Sequence, residues 1–182
     1  PQLVLTPHIA ASTAEAQSKV GVEIARQLVE YLTTGIVSNA VNTPAMSPEQ
    51  RDILLPFVQL GEKLGKILAQ ITYGKIESLE VTYEGTLGKE SLDISPVTTS
   101  IISGVLSYSN EEVNKVNARL FADEVGMKIK ESKTQSSRSY QNYVEINASH
   151  RSSEPATIGA AIFGEDREHP RIVRINNFHV DA

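Results

Sequence analysis

Cysteine is absent from this chain, which excludes a disulfide framework, thiolate metal ligation and a cysteine nucleophile, and is compatible with a reducing cytoplasm. A basic excess is absent too. With 17 Lys and Arg against 22 Asp and Glu, the formal charge is −5, and the cations are spread too thinly to neutralise a row of phosphates. Nucleic acid is therefore not an expected partner. No stretch approaches the ~20 apolar residues of a membrane span, so no membrane association is expected. The start of the chain has neither a basic region followed by an apolar signal core nor an initiator Met, and Pro1 is expected to be a cut boundary. Also missing are HExxH, an EF-hand loop, a P-loop and a nucleophile elbow, which leaves a metal protease, a calcium sensor, an NTPase and an α/β-hydrolase without support. No metal site is expected. The adjacent carboxylates Glu111-Glu112 and Glu165-Asp166 form neither a helix-face pair nor a constrained dyad, and they read as surface charge.

What is present suffices for one core: 182 residues with 40% apolar content fit one domain plus an appendage of about forty residues. Leu3-Val4-Leu5 is long enough for the end of a buried parallel strand and too short to stand alone. Its sheet must lie elsewhere. Ser12 followed by Glu15 has capping-box spacing, and the stripe Ala16, Val20, Ile24, Leu28 and Leu32 predicts a helix over 13–33, stopped by Gly35. That long apolar stripe is expected to pack on the second domain or on another chain. Gly, Ser, Asn and Pro then break any period. The expected organisation is an N-terminal piece at 1–38, a linker at 39–52 and a domain at 53–182.

The second region opens with Leu54, Phe57, Leu60, Leu64 and Leu68, a helical period over 54–71. Gly61 and Gly65 fall on one side of it, which favours close packing of another backbone. A strand is expected over 76–87, helices over 96–108 and 111–124, and strands over 127–133, 140–149, 156–163, 171–175 and 178–181. Asn176-Asn177 should make the tight turn into the last of these. The predicted class is α+β, an antiparallel sheet packed with about three helices.

Two sets of residues could carry chemistry. His8 follows Pro7, which holds Thr6 extended, and stands just before the capped helix, so it should sit on a strand-to-helix loop. Such loops gather at the carboxyl edge of a parallel sheet, where ligands bind. An imidazole suits proton exchange with an alcohol near neutral pH, although a lone loop histidine can equally be a solvated residue. The second set begins with Lys128 and Lys130, alternating on one strand face. Lys133 and the hydroxyl-rich loop Ser136-Ser137-Arg138-Ser139 follow. This set could hold a phosphate or carboxylate, or could be edge-strand charge that discourages aggregation.

The run Leu5-Thr6-Pro7-His8-Ile9-Ala10-Ala11-Ser12-Thr13 resembles the histidine segment of the D-2-hydroxyacid dehydrogenases. The stretch from Leu5 through Thr43 is similar to their phosphoglycerate dehydrogenase branch. The resemblance implies that 1–38 is the end of an α/β catalytic region and that His8 is the general acid/base serving hydride transfer to NAD. Ala10 and Ala11 then lie near the nicotinamide, where the family often has Gly-Gly. The GxGxxG loop, the ribose-binding acid, the substrate-carboxylate arginine and the carboxylate paired with the histidine are missing from this chain, which is therefore expected to be inactive and not to bind NAD by itself.

Residues 54–71, the strand around Glu80, the two central helices and Arg171 through Phe178 resemble the branch's intervening, allosteric substrate-binding domain. The same unit has similarity to a domain of iron-sulfur L-serine dehydratases. No ACT sequence follows Ala182, so a serine site is expected to be absent. The resemblance further implies an anionic effector such as 3-phosphoglycerate or phosphate, held through Lys130 and Arg138 with Lys133 nearby, and a homo-oligomeric (dimeric or tetrameric), cytoplasmic parent enzyme of serine biosynthesis. The alternative reading is a non-catalytic scaffold that joins subunits.

Overall fold

The computed structural model describes residues 11–34, 48–72, 74–136, 140–150, 154–164 and 169–180. The chain forms two compact units, Pro1–Ala45 and Met46–Ala182. In the first, the described element is α1 (Ala14–Thr34). Its cap differs from the expected one. The Thr13 hydroxyl, not that of Ser12, accepts the Ala16 N–H at 3.1 Å, so Glu15 is free to pair with Lys19 one turn on at 2.7 Å. Val20, Ile24, Leu28, Val29 and Leu32 are exposed. The expected strand at Leu3–Leu5 lies outside the described residues.

The second unit begins with α2 (Pro48–Ile71), which starts within the stretch read as linker. β1 (Ser78–Gly85) follows, then a short 3-10 turn (Thr86–Gly88), α3 (Ser95–Ser107) and α4 (Ala118–Glu124). The remaining strands are β2 (Lys128–Thr134), β3 (Asn142–Ser149), β4 (Ala156–Phe163), β5 (His169–Ile175) and β6 (Phe178–His179). They form one six-stranded sheet in the order β2-β1-β3-β4-β5-β6. The α+β class is the expected one. The sheet is antiparallel except at one place: β2 runs parallel to β1, because the connection through α3 and α4 returns the chain to the same end, as parallel pairing requires.

Alternation assigns the two faces. Leu79, Val81 and Tyr83 of β1, Val144 and Ile146 of β3, and Ile158 and Ala160 of β4 turn inward and are buried with α2 and α3 residues such as Leu64, Leu68, Ile101 and Ile102. The intervening positions, among them Glu80, Thr82, Glu145 and Asn147, form the opposite, more polar face. Between α2 and α3 the backbones come very close. A Cβ on Gly65 would stand 2.3 Å from the Ile101 carbonyl oxygen, and one on Gly104 would stand 2.2 Å from that of Glu62. The close-packing reading of Gly65 is thereby explained.

The helix expected over 111–124 is shorter, and asparagines are the reason. Asn110 Oδ1 accepts the Glu112 N–H, Asn114 Oδ1 that of Val116, and Asn117 Oδ1 that of Asn114, at 3.0, 2.9 and 2.7 Å. These side chains offer the backbone local partners that compete with helical ones, so residues 111–117 are turns and irregular backbone and the helix waits until Ala118. Asn176, with φ of 50°, makes the tight turn expected between the last two strands.

Candidate functional site

The expected cation set starts on β2, which is an edge strand of the sheet. Strand alternation puts Lys128 and Lys130 on the polar face and Lys133 on the helix side. Lys130 Nζ donates to Glu80 Oε1 of the neighbouring strand at 2.5 Å, and both side chains are exposed. Lys133 Nζ donates instead to the Leu92 carbonyl at 2.7 Å, which ties β2 to the segment before α3. The two lysines thus belong to opposite faces. Arg138 lies outside the described residues, as do His8 and Ala10; Ala11 is an exposed turn residue just before the α1 cap.

Another arginine, not singled out by the sequence, is structural. Arg119 donates from Nε to Thr99 Oγ1 at 2.9 Å and from Nη2 to Glu131 Oε1 at 3.0 Å, joining α4, α3 and β2.

The polar face of the sheet is a connected network. Thr82 and Ser132 share a hydrogen bond of 3.1 Å, and Thr157 donates to Asn147 at 2.7 Å. At its centre Glu145 Oε2 accepts from the Tyr143 hydroxyl at 2.7 Å and from Arg174 Nη1 at 2.8 Å. Arg174 Nε also donates to the Asn176 carbonyl at 2.9 Å. A bulge opposite Gly159 and Ala160 leaves Val173 between the paired residues Ile172 and Arg174, so Val173 packs with Tyr143 and Ala161 on this side of the sheet. Burial, and a carboxylate that holds its proton, push the Tyr143 hydroxyl well above its ordinary 10.0.

Around this network lies a cavity of about 250 Å³ lined by Thr82, Glu84, Tyr140, Tyr143, Arg174 and His179, among others. Tyr140 stacks on Tyr143 with ring centroids 5.7 Å apart. The Tyr143 ring lies against Gly159, where an added Cβ would stand 2.1 Å from the phenolic oxygen. Glu84 is only 8% exposed. A larger, mainly apolar cavity of about 500 Å³ lies elsewhere, lined by Ala69, Ile76, Val105, Tyr108 and Met127 among others. Its one lysine, Lys75, is spent on the Val125 carbonyl at 2.8 Å. Among the described residues there is no group of three or more His, Asp or Glu that could hold a metal ion, and no described helix is long and apolar enough to cross a membrane.

The sequence model of the D-3-phosphoglycerate dehydrogenase intervening domain matches residues 53–176, from within α2 to the turn after β5. The chain belongs to that family. Relatives named D-3-phosphoglycerate dehydrogenase include one from Synechocystis, 36% identical over 97% of this chain. Others come from Archaeoglobus fulgidus, 35% identical over 98%, and Bacillus subtilis, 31% identical over 100%. The chain spans about a third of each, 33%, 33% and 34% respectively. Lys130 and the cavity-lining residues other than His179 sit on the matched part, and His8 lies in the part that only the longer alignments cover.

Proposed function

We propose that this chain is the part of an NAD-dependent phosphoglycerate dehydrogenase that carries the catalytic acid/base, His8, and a regulatory intervening domain. The observation that carries the reading is the coincidence of the two alignments. The intervening-domain match covers the folded sheet, and the whole-chain similarity to named dehydrogenases extends across the His8 run. In the parent, 3-phosphoglycerate is oxidised to 3-phosphohydroxypyruvate at the entrance to serine biosynthesis, in the cytoplasm, and NAD supplies the hydride acceptor. His8 takes the proton of the substrate hydroxyl as its carbon is oxidised, and returns it in the reverse direction.

On this reading the glycine-rich loop and the ribose-binding acid belong to the rest of the parent, and the isolated chain neither binds NAD nor turns substrate over. The apolar side of α1, exposed at Val22 and Leu32 to 70% and 79%, is covered in the parent by the rest of the catalytic region or by a second copy, consistent with a homo-oligomer.

The regulatory part answers an anion of the 3-phosphoglycerate or phosphate type through Lys130 and Arg138, while Lys133, on the other face and bonded to the Leu92 carbonyl, takes no part. Two features support it. Lys130 is exposed on an edge strand, eight positions before Arg138 in the sequence, and its partner Glu80 forms only a surface ion pair, which a doubly charged anion can displace. Calorimetric titration of the chain with 3-phosphoglycerate is the test: saturable heat is expected, with loss of about tenfold in affinity for Lys130→Ala combined with Arg138→Ala. No heat, together with a ligand-independent oligomer by light scattering, would favour the scaffold reading instead.

A further inference from the structure

The sheet ends in two edges of unequal length: β6 is two residues long and β2 is seven. A long edge presents backbone groups with which a further strand can pair. Which groups these are follows from the pairing with β1. The Lys128 N–H donates to the Glu77 carbonyl at 2.9 Å, and alternate residues of a strand turn both backbone groups to the same side. Lys128, Lys130, Ser132 and Thr134 therefore face β1, while Ile129, Glu131 and Lys133 direct their N–H and C=O outward, where no described strand pairs with them.

The side chains decide what can pair there. A second copy that meets β2 antiparallel, about a two-fold axis normal to the sheet, sets one residue opposite its own counterpart and the rest in mirrored order. Centring on Lys128, Lys130, Glu131 or Lys133 puts two like charges face to face, and centring on Ile129 sets Lys128 against Lys130. Centring on Thr134 pairs only the tip of the strand. Ser132 differs. With Ser132 at the axis, Glu131 faces Lys133 of the second copy and Lys133 faces its Glu131, both on the helix side, while Lys130 faces Thr134. Glu131 and Lys133 are also the outward-facing residues that exchange backbone hydrogen bonds in this register. Both side chains have capacity to spare: Arg119 holds Glu131 through Oε1, and Lys133 spends one of its three donors on the Leu92 carbonyl.

We propose that β2 is the edge through which two copies of this chain join, antiparallel about Ser132, so that one sheet runs through both. The edge lysines then act as a filter that leaves a single register open. The proposal rests on the homo-oligomer reading above and deepens it by naming the joining surface; it needs neither His8 nor the anion site.

The test uses the 182-residue chain, in which the lack of cysteine makes an introduced thiol unique. In the proposed register the two Ser132 residues lie about 4.5 Å apart at Cα, within disulfide reach, and the two Lys130 residues about 13 Å apart, beyond it. Under diamide, Ser132→Cys should form a disulfide-linked dimer at least about tenfold faster than Lys130→Cys. By light scattering, Glu131→Lys and Lys133→Glu should each self-associate about tenfold more weakly than the natural chain, and an equimolar mixture of the two should recover the loss, because every facing pair is then opposite in charge. Equal cross-linking of the two cysteine variants, or a mixture that associates no better than its components, overturns this interface; a natural chain that is still a multimer then leaves the homo-oligomer reading standing. A natural chain that stays monomeric overturns both. The cysteine pair decides the matter even if a charge variant does not fold.

Discussion

At the scale of the residue, the core holds a phenol in an apolar setting. Tyr83 is fully buried, and its hydroxyl meets Thr98 Oγ1 at 2.7 Å. Burial pushes its ionisation well above the ordinary 10.0, and Tyr143 is pushed the same way. In the unfolded chain these phenols lose their protons near the ordinary value while the folded chain keeps them. The unfolded state then binds fewer protons, so their contribution is complete below about pH 10 and is lost as pH rises beyond it. Urea midpoints at about pH 8 and pH 11 should fall steeply for the natural chain and less steeply for Tyr83→Phe, which at neutral pH costs about 1 kcal/mol for the Thr98 hydroxyl it leaves alone. An equal fall in both would locate the alkaline sensitivity elsewhere.

The same scale limits what the sequence can say about the site. The alternation that placed Lys128 and Lys130 on one face is local, and it also separates Lys133 from them. Glu84 carries no local signal. Register sets it beside Tyr143 of the neighbouring strand, and that partner cannot be read from Tyr83-Glu84-Gly85.

At the scale of the element, helix periodicity located α1, α2 and α3 well because each buries or presents a regular stripe. It overextended α4. Apolar spacing over 111–124 continued, but Asn110, Asn114 and Asn117 held the backbone in turns, a competition between side chain and helix that periodicity does not weigh. The parallel pairing of β1 with β2 was equally hidden, since Lys128–Thr134 reads the same in either direction. The α2–α3 contact yields a sharp expectation. Gly65→Ala and Gly104→Ala each force a methyl group onto a carbonyl oxygen of the other helix, with separations of 2.3 and 2.2 Å, and backbone cannot yield as a side-chain tip can. Each should lose about 1–3 kcal/mol by urea unfolding. Gly21→Ala in α1, with nothing within 4 Å, should instead raise helicity slightly, by up to about 1 kcal/mol of propensity. Equal tolerance of all three substitutions would contradict the close crossing.

At the scale of the whole molecule, two units of unequal independence are joined in one chain. The larger closes its own core beneath a six-stranded sheet. The smaller shows a single described helix with an exposed apolar side. The family could be read from short motifs at both ends, the His8 run and the closing Arg171–Phe178 stretch. A regulatory role could not be read that way, because regulation requires two conformations that a ligand distinguishes, and a sequence displays neither.

The central claim is that His8 moves the proton in a dehydrogenase of which this chain is about a third. It is tested by a full-length hybrid in which these residues replace the matching third of the Synechocystis relative. His8→Asn in that hybrid should lower kcat for 3-phosphoglycerate by about 10²–10⁴-fold while NADH binding stays unchanged. A hybrid that binds NADH and oxidises the substrate equally fast with and without the substitution would contradict the account.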